Sequence, residues 1–196
     1  MMISGDNEIV RKILYKIFHF DEWHLGVPSK RPYFNHTVRK VNEILKSYDC
    51  GCVVEVGCGL GDIINKIEWS EKYGYDIEAN AIHAARFLYP KVFFYEGSFD
   101  AVKNKNIRII IALNFLHRLD DEECKKAFEN LIHENKVERI VVDELTEGGG
   151  YRYIHNYKNM FLELDYVLEY RSRGFLAAGK ARRHILYFKK RDKWEG

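Results

Sequence analysis

Gly57, Gly59 and Gly61 carry the most informative spacing in the chain. They follow directly on the β-branched run Cys52-Val53-Val54-Glu55-Val56 and precede residues 62–67, whose apolar spacing fits a helix. Glycines at alternate positions between a strand and a helix let the backbone pass close to a ligand and turn unpaired helix N–H groups towards it. Gly-rich turns are common, so the turn by itself points no further than a nucleotide-like ligand. Asp76 strengthens it. This acid ends a second β-like run, residues 72–77, and stands 19 residues beyond Gly57, where a carboxylate can accept hydrogen bonds from both hydroxyls of a ribose. The competing role for Asp76 is a helix N-cap.

The elements that position these residues alternate β-rich runs with helical patterns, which predicts an α/β fold with a mostly parallel sheet. After the second strand comes a helix over 78–89, ended by Pro90, and a third strand over 92–95. Residues 107–113 read as a doubly buried central strand, 120–133 as a helix capped by Asp120 or Asp121, and 138–143 as a further strand. The runs 165–173 and 183–190 are separated by a loop too short for a crossover helix, so they should pair as an antiparallel C-terminal hairpin. Ahead of the first strand, helices over 7–18 and 35–47 joined by residues 21–34 should lie across the strand ends as a helical lid, where loops commonly carry binding groups.

Composition excludes several classes. A chain of 196 residues, 46% hydrophobic and 31% charged, suits one globular domain, with 1–49 as the lid and 50–196 as the α/β core. No apolar run approaches the ~20 residues needed to cross a bilayer, and the N-terminus lacks the pattern of a signal peptide, which reads as cytoplasmic with no membrane partner. Cys50, Cys52, Cys58 and Cys124 form no C-x-x-C pair, so neither a disulfide framework nor a metal site is expected. The net charge of +2 offers no general field for nucleic acid. The basic run Lys180, Arg182, Arg183, Lys189, Lys190, Arg191 and Lys193 reads as a solvated strand face and tail.

Val54-Glu55-Val56-Gly57-Cys58-Gly59-Leu60-Gly61 resembles the first motif of the class I S-adenosylmethionine (SAM)-dependent methyltransferases, and Gly74-Tyr75-Asp76-Ile77 resembles their second-strand motif. Tyr95-Glu96-Gly97-Ser98-Phe99-Asp100 and the stretch from Ala112 to Asp120, with its Leu116-His117 pair, are similar to the third and fourth motifs. The resemblance spans about residues 50–145. It departs at Ser98, where the family often has an acid. It implies a Rossmann-like seven-stranded sheet with helices on both faces. It implies that Glu55 and the glycine turn bind the methionine portion of SAM, Asp76 the ribose, Ile77 and Phe99 the adenine faces with Ser98 at its edge, and Asn114 the region beside the sulfonium.

Methyl transfer is an in-line displacement, so the protein has mainly to align the acceptor, exclude water and, for a hydroxyl, remove a proton. His117 is the first candidate for that base, the alternative being a hydrogen bond that holds the loop. Trp23-His24 and Arg31-Pro32-Tyr33 resemble N-terminal segments of small methyltransferases of surface-polysaccharide and related small-molecule pathways. Arg31 could pair with the SAM carboxylate and Tyr33 close over it, or both could simply pack the loop. Trp23, His24, Asp143, Glu144, Tyr153 and His155 are the candidates for contact with substrate, weighed against loop capping and surface packing.

The expected function is methylation of a small polar acceptor, at an oxygen of a sugar or related metabolite. A non-catalytic SAM-binding partner and a nucleic-acid methyltransferase are the alternatives. The absence of an Asn/Asp-Pro-Pro-Tyr/Phe sequence at 114–117 weighs against base methylation. A dinucleotide oxidoreductase is disfavoured because Asp62 and Ile63 stand where its last glycine or alanine belongs.

Overall fold

A computed structural model describes residues 5–191, so Lys193 of the basic run lies outside the described residues. In chain order the elements are α1 (Glu8–Phe18), α2 (Pro32–Leu45), β1 (Cys52–Val56), α3 (Asp62–Lys66), β2 (Lys72–Asp76), α4 (Ala79–Leu88) and β3 (Phe93–Glu96). They continue as β4 (Asn106–Ala112), α5 (Asp121–Glu134), β5 (Lys136–Leu145), α6 (Tyr157–Glu163), β6 (Tyr166–Arg171), β7 (Phe175–Leu176) and β8 (Arg182–Lys190).

The sheet runs β3-β2-β1-β4-β5-β8-β6. Strands β1 to β5 pair in parallel, while β8 is antiparallel to both β5 and β6. Seven positions across the sheet agree with the sequence reading. The two-residue β7 was not anticipated. It pairs with β8 at Arg183 and Arg182, beyond the end of β6, and so carries on the outer strand after a break at residues 172–174. The chain leaves β1 towards β2 on one side and returns to β4 on the other, so the crevice at the carboxyl ends of β1 and β4 is the topological switch point, where such sheets bind ligands.

The strands are doubly buried because their residues are apolar on both faces. Val54, Ile110, Ile140 and Phe188 face α5 and α6 through Phe128, Leu131 and Phe161. Val53, Ile109, Ile111 and Tyr187 face the opposite layer through Val41 and Leu45 of α2, Ile64 of α3 and Ile82 of α4. A smaller cluster of Leu14, Phe20, Leu60, Ala81, Ala84 and Leu88 fastens α1 to α4 and to the glycine turn.

Local chemistry sets the boundaries. Asn7 caps α1 by accepting from the Ile9 and Val10 N–H groups. Of the two candidate caps for α5 the structure uses Asp120, in a reciprocal capping box with Glu123. Helix α2 begins three residues earlier than its apolar period suggests, because Pro32 fits the first helical turn where its missing N–H is no loss. Strand β4 stops at Ala112 because Asn114 takes a left-handed backbone, φ 70°. Among the described residues no helix is long and apolar enough to cross a membrane.

Candidate cofactor and acceptor site

After β1 the chain turns through Gly57 and Gly59 with φ of 69° and 52°. A Cβ on Gly57 would stand 2.5 Å from the Phe115 ring, and one on Gly59 would stand 2.6 Å from the His24 ring. Backbone angle and space therefore both require glycine there. The turn is held by carboxylates. Asp76 Oδ2 accepts the Gly59 N–H at 2.7 Å and its Oδ1 accepts the Glu78 N–H at 3.0 Å. Asp76 thus ties the turn to the start of α4, and each oxygen keeps a lone pair for a further donor.

Glu55, buried at the end of β1, accepts the Ile64 N–H at 3.0 Å. Burial pushes its carboxyl well above the usual carboxylate range, the Ile64 N–H opposes that rise, and the neighbouring Asp62 and Asp76 add to it. A cation placed beside it would favour the charged form.

The N-terminal segment lies over this turn. Arg11, 1% exposed, donates from Nη2 to Asp62 Oδ1 at 2.6 Å, from Nη1 to the His24 carbonyl at 2.6 Å and from Nε to the Gly5 carbonyl. Tyr89 also donates to Asp62 Oδ1. Glu78 receives the other end of the strap, accepting the Asp21 N–H at 2.6 Å and facing His24 Nε2 at 3.0 Å. The 3₁₀ turn Glu22–Leu25 is thereby fixed across the carboxyl ends of β1 and β2.

Two cavities open at these strand ends. The larger, about 670 Å³, is lined by Gly57, Asp76, Ile77, Ser98, Asn114 and Phe115, with Asp21, Trp23, His24, Glu78 and Arg118 among the other walls. That size falls within the range of small-ligand pockets. The smaller, about 50 Å³, is walled by Arg31, Phe34, Glu55, Gly57, Gly59 and Asn114. The Arg31 guanidinium lies 5.4 Å from the ring centres of both Trp23 and Phe34. The sequence-named residues Gly57, Glu55, Asp76, Ile77, Ser98, Asn114, Trp23, His24 and Arg31 therefore meet around these cavities. Gly61 sits behind them, stacked against Phe94.

Phe99 does not reach the cavity. It is buried against Phe115 and Phe128, with ring centres 6.0 and 4.9 Å away, and Phe115 presents the aromatic surface in its place. Tyr33 is buried one step behind the wall, under the Arg183 guanidinium at 4.5 Å.

The strand-five acids part company because successive residues of a strand face opposite sides. Asp143 points to the α2 side, where Oδ1 accepts the Asn114 N–H at 2.7 Å and Oδ2 faces Arg183 Nε at 3.3 Å. Glu144 points the other way and is paired with Arg171 at 2.7 Å, away from both cavities. His155 is also engaged, with Nδ1 2.6 Å from Asp121 and Nε2 2.9 Å from the Leu116 carbonyl, so its place is that of a brace between α5 and the strand-four loop. Tyr153 donates its N–H to the His117 carbonyl and carries Arg152 over its ring.

His117 lies beside the Asp143–Arg183 pair and packs edge-on against Tyr151, ring centres 4.9 Å apart. Its Nδ1 is buried without a hydrogen-bond partner. Burial lowers its pKa below the ordinary histidine value, Asp143 opposes that, and Arg183 and Arg118 reinforce it. A neutral imidazole with a free nitrogen can accept a proton.

Arg11, Glu78, Phe115 and Arg183 were not singled out for the site from sequence. The available signals were a cation on the inward face of an otherwise amphipathic helix and an acid opening α4. Arg183 was hidden in the basic run. Among the described residues no group of His, Cys, Asp or Glu is arranged to hold a metal ion.

No family model and no curated protein sequence matches the chain. Solved structures do. The magnesium protoporphyrin IX methyltransferase ChlM of Synechocystis PCC 6803, solved with bound SAM, matches with a TM-score of 0.68 at 15% identity over 97% of this chain and 100% of that one. The N-methyltransferase NodS of Bradyrhizobium japonicum WM9, solved with S-adenosylhomocysteine (SAH), gives 0.67 at 14% identity over 93% and 98%. A TehB-like SAM-dependent methyltransferase of Corynebacterium glutamicum gives 0.57 at 15% identity over 84% and 100%. The chain therefore has the Rossmann-like α/β fold of the class I SAM-dependent methyltransferases.

Proposed function

We propose that this protein is a SAM-dependent methyltransferase acting on a hydroxyl of a small polar acceptor, a sugar or related metabolite, and that residues 1–49 and 50–196 form the lid and core of a single domain. The observation that carries it is the 670 Å³ cavity at the switch point, walled by Gly57, Asp76 and Asn114. The residues fit the cofactor. Asp76 keeps lone pairs for ribose hydroxyls after binding Gly59 and Glu78, the buried Glu55 suits the methionine ammonium, and Arg31 suits the carboxylate. Ile77 and Phe115 offer apolar surface for the adenine, with Ser98 at its edge. The two matched structures described as holding SAM or SAH support this reading.

SAM supplies a methyl group on a cationic sulfur. The acceptor hydroxyl would give up its proton to His117, whose Nδ1 has no hydrogen-bond partner. The chain's part is to fix the acceptor against the wall at Asn114, to keep water out under the 21–34 segment and to take that proton. Incubation with methyl-labelled SAM and a panel of sugars and hydroxylated metabolites tests the reaction. Label transfer to an oxygen, lost in His117→Ala, supports it; label transfer to a nitrogen with His117→Ala fully active contradicts it.

A further inference from the structure

A buried polar cluster of Arg183, Asp143 and His117 lies beside the residues assigned above to the cofactor. Arg183 is 5% exposed and Asp143 3%, yet Arg183 Nη1, His117 Nδ1 and Asp143 Oδ2 have no hydrogen-bond partner, the last being met only by its 3.3 Å ion pair with Arg183 Nε. A buried polar group without a partner is costly, more so when charged, and calls for a partner that completes it. Asp143 does not fill that need. Its Oδ1 is spent on the Asn114 N–H, and its Oδ2 meets only Nε of Arg183.

The cluster is continuous with the cavity wall. Asn114 lines both cavities and bonds directly to Asp143, while the Tyr33 hydroxyl is bracketed by Arg31, which lines the smaller cavity, and by Arg183. Tyr151 covers the cluster, with its ring against His117 and its hydroxyl accepting the Ala178 N–H. It stands on a turn in which Gly148 and Gly150 have φ of 92° and 68°, so the cover is one side chain on a glycine-jointed loop.

Charge is divided across the site. Asp21, Asp76 and Glu78 face the larger cavity from the β2 end, while Glu55 and Asp62 share the smaller with Arg11 and Arg31. On the strand-four side stand Arg118, lining the larger cavity, and Arg183, which is paired with Asp143. Acids at one end suit a cationic cofactor; guanidiniums at the other suit an anion.

We infer that the acceptor carries an acidic oxygen, a carboxylate or a phosphate, which Arg183 Nη1 binds as Tyr151 gives way, and so sets the reacting hydroxyl beside His117. This rests on the methyltransferase reading above and narrows its substrate from polar to anionic. Charge-assisted hydrogen bonds of guanidinium to such oxygens are roughly twice as strong as neutral ones, which is why the site should discriminate against a neutral sugar.

The test is titration of the SAH-saturated protein with glucuronate, glucose 6-phosphate and glucose, followed by calorimetry and by the ring resonances of His117. The expected result is binding of one or both acids at least about tenfold tighter than glucose, a difference of about 1.4 kcal/mol, with a shift of the His117 signals. Comparison of glucuronate with glucose 6-phosphate tells carboxylate from phosphate. Arg183→Met alone would strand a buried carboxylate and endanger the fold. The paired variant Asp143→Asn/Arg183→Met removes both charges together, and it should keep SAH affinity while losing the preference for acids. Glucose bound as tightly as the acids, none of the three bound, or a preference that survives the paired variant would each overturn the proposal. Failure of SAH itself to bind would remove the methyltransferase reading and this inference with it.

Discussion

Asp76 Oδ2 lies 2.7 Å from the Gly59 nitrogen, so the acid that ends the second strand is also the clamp on the glycine turn after the first. Its Oδ1 holds the Glu78 N–H at the head of α4. The N-cap of α4 is Glu78, so Asp76 stands one step ahead of the helix instead of capping it, and its remaining acceptor sites are open to a ribose because a carboxylate has about four. Asp76→Ala should weaken SAH binding by about 1–3 kcal/mol, roughly 5- to 150-fold. Asp76→Asn, which keeps one acceptor oxygen, should lose less. Equal affinity in Asp76→Ala and the parent would take Asp76 out of the site.

Glu55 links cofactor binding to pH. Its carboxyl is raised by burial, so part of the population is protonated above the usual carboxylate range, and a bound ammonium drives the proton off. Affinity for SAH should therefore rise with pH through the raised range. The calorimetric enthalpy at one pH should differ between buffers of low and high ionisation heat, and Glu55→Gln should abolish that difference. Without ligand the sign reverses for stability. The folded form holds the proton more tightly than the unfolded one, so stability falls as pH climbs above about 4.5 towards the folded value.

The Arg11–Asp62 pair joins residues 51 apart, with side-chain exposures of 1% and 11%. Arg11→Met leaves Asp62 buried beside Tyr89 without its cation, which should cost about 3–5 kcal/mol. For a chain of this size that lowers Tm by roughly 6–20 °C. Arg11→Met/Asp62→Asn should recover much of the loss, since pair removal avoids the stranded charge. Thermal unfolding of the three proteins in parallel decides between this and a dispensable surface contact.

His117 is held neutral by its burial, with a pKa below the ordinary histidine value. Turnover should therefore rise with pH at the acid end, with its midpoint below that of an ordinary histidine. His117→Ala should cut kcat strongly while leaving SAH affinity nearly unchanged. A parallel loss of both would assign His117 to the architecture of the loop under Tyr151 instead.

The parts legible in the sequence are those written in local pattern. The β-branched run before Gly57, the isoleucines of β4 and the aspartates at 120 and 121 each announce their element within a few residues, and the structure places those elements as read, with Asp120 as the cap. Two-residue β7 has no such pattern, because its existence depends on where β8 lies. Phe99 was placed on the adenine by motif alone, yet Phe128 and Phe115 draw it into the core. Period-two alternation from Val141 already put Asp143 and Glu144 on opposite faces, and reading it would have separated them. Arg183 gave no local sign and Arg11 only its place on the inward face of a helix, since their partners Asp143 and Asp62 are distant in the chain and meet them only on folding.

The central claim is that the cavity walled by Gly57, Asp76 and Asn114 holds an adenosyl cofactor. Calorimetric titration of the purified protein with SAM, SAH and NADH in parallel addresses it directly. Saturable binding of SAM and SAH at one site per chain, with none of NADH, is the predicted result. Binding of NADH, or of none of the three, would contradict it.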